Sequence, residues 1–177
     1  MQRYAIAVTV LVMMAVMVMA GCAAYDKAKD INIAARTEPQ EFKLGNDGFD
    51  TKPVRSDTWE DEADKIKTVE KVEISYTSTN NSQAPVDLKV YISDNPALQP
   101  DDLESEATLV HTLTLPEGET EVRRDEALIE NIEQVKAELK AYEGTFTVYV
   151  VAESISDTID VDITGFQVYG TFNADLL

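Results

Sequence analysis

Cysteine and histidine are almost missing from this sequence: its 177 residues hold one of each, Cys22 and His111. A single cysteine excludes a disulfide framework and any cysteine-rich zinc site. A single histidine means that a Ser-His-Asp or Cys-His mechanism would have to run through His111. No Gly-x-Ser-x-Gly turn and no Gly-rich phosphate loop accompanies it. Basic residues are also scarce, 15 Lys+Arg against 33 Asp+Glu for a net charge of −18. Nucleic acid is therefore not an expected partner, because neutralising phosphates needs clustered Lys and Arg. Aromatics make up only 7%, yet the hydrophobic share of 44% suffices for a packed core and argues against wholesale disorder. Beyond residue 20 no run is long and apolar enough to span a bilayer.

What is present is concentrated at the amino terminus. Met1-Gln2-Arg3 gives a short positive start, Tyr4 to Ala20 carries no charge, and Met19-Ala20-Gly21-Cys22 follows. A positive start, an apolar stretch and small residues before a break mark a secretory signal. These residues resemble a bacterial lipoprotein signal peptide, whose box reads Leu-Ala/Ser-Gly/Ala-Cys. Ala20, Gly21 and Cys22 fit it, and Met19 stands where Leu is usual. The resemblance covers residues 1–22 only. It implies cleavage before Cys22 and acyl chains on that residue, so that the protein's first partner is the membrane. One chain gives marginal, reversible attachment, at roughly 0.8 kcal/mol per buried CH₂, and several make it stable. Ala23, rather than Asp, after the cysteine resembles the outer-membrane default of Gram-negative lipoproteins. An uncleaved membrane span and a cleaved secreted protein are the competing readings. Arg3 is the only charge in residues 1–21, so the acidity belongs to what remains after cleavage.

Residues 22–30 read as a lipid-anchored tether and 31–177 as a single domain. Weak strands are expected around Ile31–Ala34 and Glu41–Leu44, with Asn46-Asp47-Gly48 and Lys52-Pro53 as turns. Asp57 and Glu60 suggest a capping box, and Trp59, Ala63 and Ile66 share one face of a short helix over about 57–67. Trp59 then anchors that helix to the core. The period next changes to two: Val72, Ile74 and Tyr76 in one strand, Val86, Leu88, Val90 and Ile92 in the next, then Leu109–Leu115. Leu128, Ile132, Val135 and Leu139 form a helical stripe, predicting a helix over about 125–142 capped by Asp125 and stopped at Gly144. Phe146 to Ala152 reads as a strand buried on both faces, and Gly165, where the apolar phase shifts, as a β-bulge. Short strands with turns between them predict a mainly β fold, an antiparallel β-sandwich of Ig-like or jelly-roll-like kind carrying two helices.

No catalytic residues emerge. His111 alternates with Leu109 and Leu113 and is expected on the face they share, as a core or rim histidine. Among 33 acids, carboxylate pairs at glycosidase distance arise by chance. Three acidic loops could offer oxygens to calcium: Asn46, Asp47 and Asp50; Asp94, Asp101, Asp102 and Glu104; Asp157, Asp160 and Asp162. The EF-hand pattern fails, since Gly48 as its glycine would put Lys43 first and Val54 last. No metal site and no cofactor are assigned. Tyr91 lies opposite the apolar face of its strand and is the best candidate for an exposed ring, with Asp94, Asp101 and Asp102 as nearby ligand-binding acids. The reading is a lipid-anchored cell-envelope protein, not an enzyme, acting as a structural or protein-binding module. The alternative is a carbohydrate- or calcium-dependent ligand-binding module, so the expected partner is an envelope protein or a glycan.

Overall fold

The computed structural model describes residues 30–155 and 158–175. Met19, Ala20, Gly21 and Cys22 lie outside the described residues. Among the described residues nine strands appear in chain order: β1 (Asp30–Arg36), β2 (Gln40–Leu44), β3 (Phe49–Arg55), β4 (Ile66–Asn80), β5 (Val86–Ser93), β6 (Thr108–Leu115), β7 (Gly118–Asp125), β8 (Thr145–Ser154) and β9 (Val161–Asp175). The helices among the described residues are short: α1 (Asp57–Asp61), α2 (Leu103–Glu106) and α3 (Ile132–Ala141), with 3₁₀ turns at Ala63–Lys65 and Pro100–Asp102. Among the described residues no helix is long and apolar enough to cross a membrane.

The strands form two antiparallel sheets. One runs β1-β9-β4-β7, with β2 joining β9 on the same side as β1, and the other runs β3-β8-β5-β6. Every consecutive pair from β2 onward except β5–β6 crosses from one sheet to the other. With β1 set aside, the orders β2-β9-β4-β7 and β3-β8-β5-β6 are those of an eight-stranded double-sheet jelly roll. An Ig-like arrangement would divide its strands differently. β4 and β9, fifteen residues each, pair over nearly their whole length and form the spine of the first sheet.

The predicted bulge is present. β9 bulges at Gly165, where Ser75 pairs with Gln167 but Thr77 with Thr164, and Gly165 takes φ +65°. The bulge lies next to the point where the partner of β9 changes from β2 to β1. β8 is buried on both faces as expected: Phe146, Val148, Val150 and Ala152 enter the core between the sheets, and Tyr149 turns to the other side. Trp59, 1% exposed, packs its α1 onto that core.

Three expectations are corrected. The helix over 125–142 is only Ile132–Ala141, because 118–125 is strand β7 and Asp125 ends it rather than capping a helix. Leu128 of the predicted stripe is accordingly exposed, while Val135 and Leu139 are buried. The helix over 57–67 ends at Asp61, continues as one 3₁₀ turn and gives way to β4 at Ile66; Ser56, not Asp57, precedes its first turn. Lys52-Pro53 is not a turn but the middle of β3. β3 is an edge strand, so Pro53 removes no hydrogen bond from the sheet interior.

Candidate functional site

The outer face of the β3-β8-β5-β6 sheet would be open to water if the β5–β6 connection did not fold back over it. Leu98 and Leu103 of that connection bury themselves against Tyr91 and Tyr149, making a second, smaller apolar cluster outside the main core. Phe49 stacks on Tyr149 at 6.2 Å and closes the cluster from the side. Tyr149 also fastens the roof: its hydroxyl donates to the Asn95 carbonyl and accepts from the Leu98 N–H at 3.3 Å. Ser93 adds two ties, donating to the Glu106 carbonyl and accepting from Asn95 N–H.

Beside this roof lie two adjoining depressions of about 300 and 520 Å³ that share Lys89, Tyr91 and Glu104. The smaller runs over Asp101, Val151 and Glu153, the larger over Leu109 toward Asn131 and Gln134 at the start of α3. Lys89 pairs with Glu153 across β5 and β8 at 3.2 Å, and that hydrogen bond raises its pKa. Asp101 and Glu104 have no salt bridge among the described residues. Burial raises the Tyr91 hydroxyl above its usual range, with Lys89 working in the opposite direction.

The predicted site residues are only partly brought together. Tyr91 does leave the sandwich core, as its alternation implies, but it is 5% exposed because Leu98 and Leu103 cover that face. It is therefore not an exposed ring. Asp101 lines the smaller depression with it. Asp102 is turned inward on its own loop, accepting from the Gln99 N–H at 3.2 Å. Asp94 is exposed near Tyr142, whose hydroxyl is pushed well up by burial and then by Glu138 and Asp94. Among the described residues no three acids or histidines converge as a metal site. In the first acidic loop Asp50 already accepts from the Lys43 N–H and from Lys52, and Asn46 accepts from the Ile159 N–H. Lys89, Glu104 and Glu153 become neighbours only through the β5–β8 pairing and the folded-back connection.

His111 is 2% exposed and packs edge-on to Tyr76 at 6.1 Å. A bulge opposite Val90 and Tyr91 puts Leu109 on the outer face, so His111 shares the inner face with Leu113 but not with Leu109. Its Nδ1 lies 2.8 Å from the Leu128 carbonyl, which requires the proton on that nitrogen, and Nε2 is buried without a hydrogen-bond partner. Tyr76, whose hydroxyl is likewise buried and unpartnered, is pushed up by the same burial.

The opposite sheet carries a further shallow concavity of about 500 Å³, lined by Ser75, Thr77, Arg123, Arg124 and Thr164. Arg124 stacks 4.0 Å over the ring of Tyr169 and pairs with Glu73 at 3.0 Å. Lys71 holds the other oxygen of Glu73 at 2.9 Å.

No family model matches the chain, and no curated protein matches it. Among solved structures, a chain of Desmodium yellow mottle tymovirus aligns with a TM-score of 0.28 and 11% identity, covering 81% of this chain and 90% of that one. A TM-score of that size carries no argument about function.

Proposed function

We propose that this chain is a lipid-anchored, exported envelope protein whose jelly-roll domain is a non-enzymatic binding module. The observation that carries the binding part is the groove beside the β5–β6 connection, built on paired strands and fastened by Tyr149. Rigid strands under a tied loop suit recognition, since little is left to order when a partner arrives. The sole histidine supports the non-enzymatic part, because its ring is sealed between the sheets with one nitrogen committed to a backbone carbonyl.

The anchoring part rests on the Met19-Ala20-Gly21-Cys22 signature and on its distance from the domain. β1 begins at Asp30, so the seven residues 23–29 separate the acyl chains from the first strand. Whatever its conformation, a segment of that length reaches no farther than about 25 Å, which keeps the domain next to the bilayer. The domain's negative charge would be repelled by anionic headgroups and keeps the fold off the lipid. In a Gram-negative cell, Ala23 points to the outer membrane.

The test is metabolic labelling with a palmitate analogue. The wild-type chain should carry label and be processed, and Cys22→Ser should lose the label and accumulate as uncleaved precursor. A Cys22→Ser chain that matures and labels like wild type would end the lipoprotein reading.

A further inference from the structure

We propose that the groove over Tyr91 receives a lysine- or arginine-bearing segment of another polypeptide. The inference rests on the binding-module reading and names the chemistry of its ligand. Two independent observations carry it.

The first is charge. Asp101, Glu104 and Glu153 line the groove and Lys89 is its one cation. Lys89 is taken up by Glu153 at 3.2 Å and also feels the charge of Glu104, so one cation faces three carboxylates and the groove keeps a net negative charge, with Asp101 and Glu104 in no salt bridge among the described residues. The domain around them is itself strongly acidic, so its field draws cationic ligands and rejects anionic ones.

The second is the hydroxyl of Tyr91. The residue is 5% exposed and lines both depressions, and its hydroxyl makes no hydrogen bond among the described residues. That hydroxyl is not among the enclosed, unpartnered polar atoms of the fold, so it reaches the groove. Tyr149, its neighbour in the same cluster, has both hydroxyl partners supplied by the roof. A partly desolvated hydroxyl, on a ring otherwise covered and opening into a groove, is a polar contact that a ligand's polar group completes.

The same geometry disfavours a sugar. Stacking on a sugar needs an exposed ring face, and the two tyrosines on this side of the sheet are 5% and 0% exposed. A polypeptide needs no ring face: its backbone supplies the polar partner for Tyr91, and its cation meets Asp101 and Glu104.

The experiment uses the full chain extracted in detergent at physiological salt. Three probes are titrated: an alternating Lys–Ala decapeptide, an alternating Glu–Ala decapeptide and a neutral hexasaccharide. A carbodiimide then couples any bound lysine to the carboxylate it touches. The Lys–Ala peptide should bind alone among the three and couple to Asp101 or Glu104. Tyr91→Phe and Glu104→Gln should each weaken it about fivefold, the loss of one hydrogen bond or charge contact. Glu119→Gln, the same charge change on exposed β7, should weaken it less than twofold. Equal losses for Glu104→Gln and Glu119→Gln would reduce the effect to bulk charge and overturn the proposal. Preferential binding of the hexasaccharide, or no binding by any probe, would overturn it too. None of these outcomes touches lipid labelling at Cys22, while turnover of a probe would instead sink the non-enzymatic reading.

Discussion

The indole of Trp59 lies 4.5 Å from the ring of Phe172 in β9 and 6.0 Å from that of Phe146 in β8, centroid to centroid. One residue of a five-residue helix thus touches a strand of each sheet. A helix this short has little stability of its own; burying Trp59 holds it in place, and Trp59 in turn fills the space between the sheets. Trp59→Ala should cost about 3–5 kcal/mol of unfolding free energy, the range for truncating a buried large aromatic. Trp59→Phe should cost clearly less, since the indole N–H is buried without a partner and its removal breaks no hydrogen bond. Urea denaturation followed by circular dichroism measures both. A loss below about 1 kcal/mol for Trp59→Ala would show that the residue does not join the sheets.

Two glycines with positive φ should answer differently to the same substitution. Gly144, at φ +88°, ends the turn after α3, and a Cβ there would sit 2.7 Å from the amide nitrogen of Glu60 in α1. Gly165, at φ +65°, has nothing within 4 Å of a built Cβ. Gly165→Ala carries only the left-handed backbone penalty, about 1–2 kcal/mol. Gly144→Ala adds a backbone clash that must push α1 off the core, so its cost should exceed that of Gly165→Ala by at least about 1 kcal/mol. Thermal melts of the two variants decide it, and equal shifts would contradict the close approach of α1 to Gly144.

The contrast between these glycines shows what could be read from sequence. The bulge at Gly165 was legible because the apolar phase of β9 changes there, a signal contained within one strand. The helical plug at Trp59 was legible for the same local reason. β7 was not: Gly118–Asp125 carries one buried apolar side chain, Val122, so no alternation marks it as a strand. β3 was missed because Pro53 reads as a breaker unless the strand is known to lie at an edge. At the candidate site, the outward direction of Tyr91 followed from alternation, but its covering did not. Leu98 and Leu103 come from a polar loop whose path is set by Tyr149, a residue about fifty positions away. Likewise the pairing of Lys89 with Glu153 exists only through the β5–β8 register.

The hydroxyl of Tyr149 gives a direct handle on the roof of the groove. Tyr149→Phe leaves the ring against Phe49 but removes the partners of Asn95 carbonyl and Leu98 N–H. The stability loss should be about 1–2 kcal/mol, as for two hydrogen bonds of which one partner stays buried. Its distinctive mark is local. Amide exchange should speed up across residues 94–107 and remain unchanged in β4 and β9, which pair in the other sheet. Uniformly faster exchange would mean that the connection is not fastened as a separate unit.

Glu73 predicts how the fold meets acid. Its carboxylate is held by Lys71 and Arg124, the hydrogen bond from Lys71 contributing most, and these contacts lower its pKa below the usual 4.5 even though partial burial works the other way. Because the folded state holds the ionised form more tightly than the unfolded chain does, the carboxylate stabilises the fold above the ordinary carboxylate value. That contribution is lost as pH falls through the lowered folded value. Both cations are about half exposed, so solvent screening keeps the contribution to about 1 kcal/mol. Glu73→Gln should therefore unfold more easily than wild type at pH 7, and the two should converge on acidification. Arg124→Ala should move the same way and also free the ring of Tyr169, now covered at 4.0 Å. Urea midpoints measured from pH 7 to pH 3 test this, and a gap between wild type and Glu73→Gln that does not narrow toward pH 3 would refute the assignment.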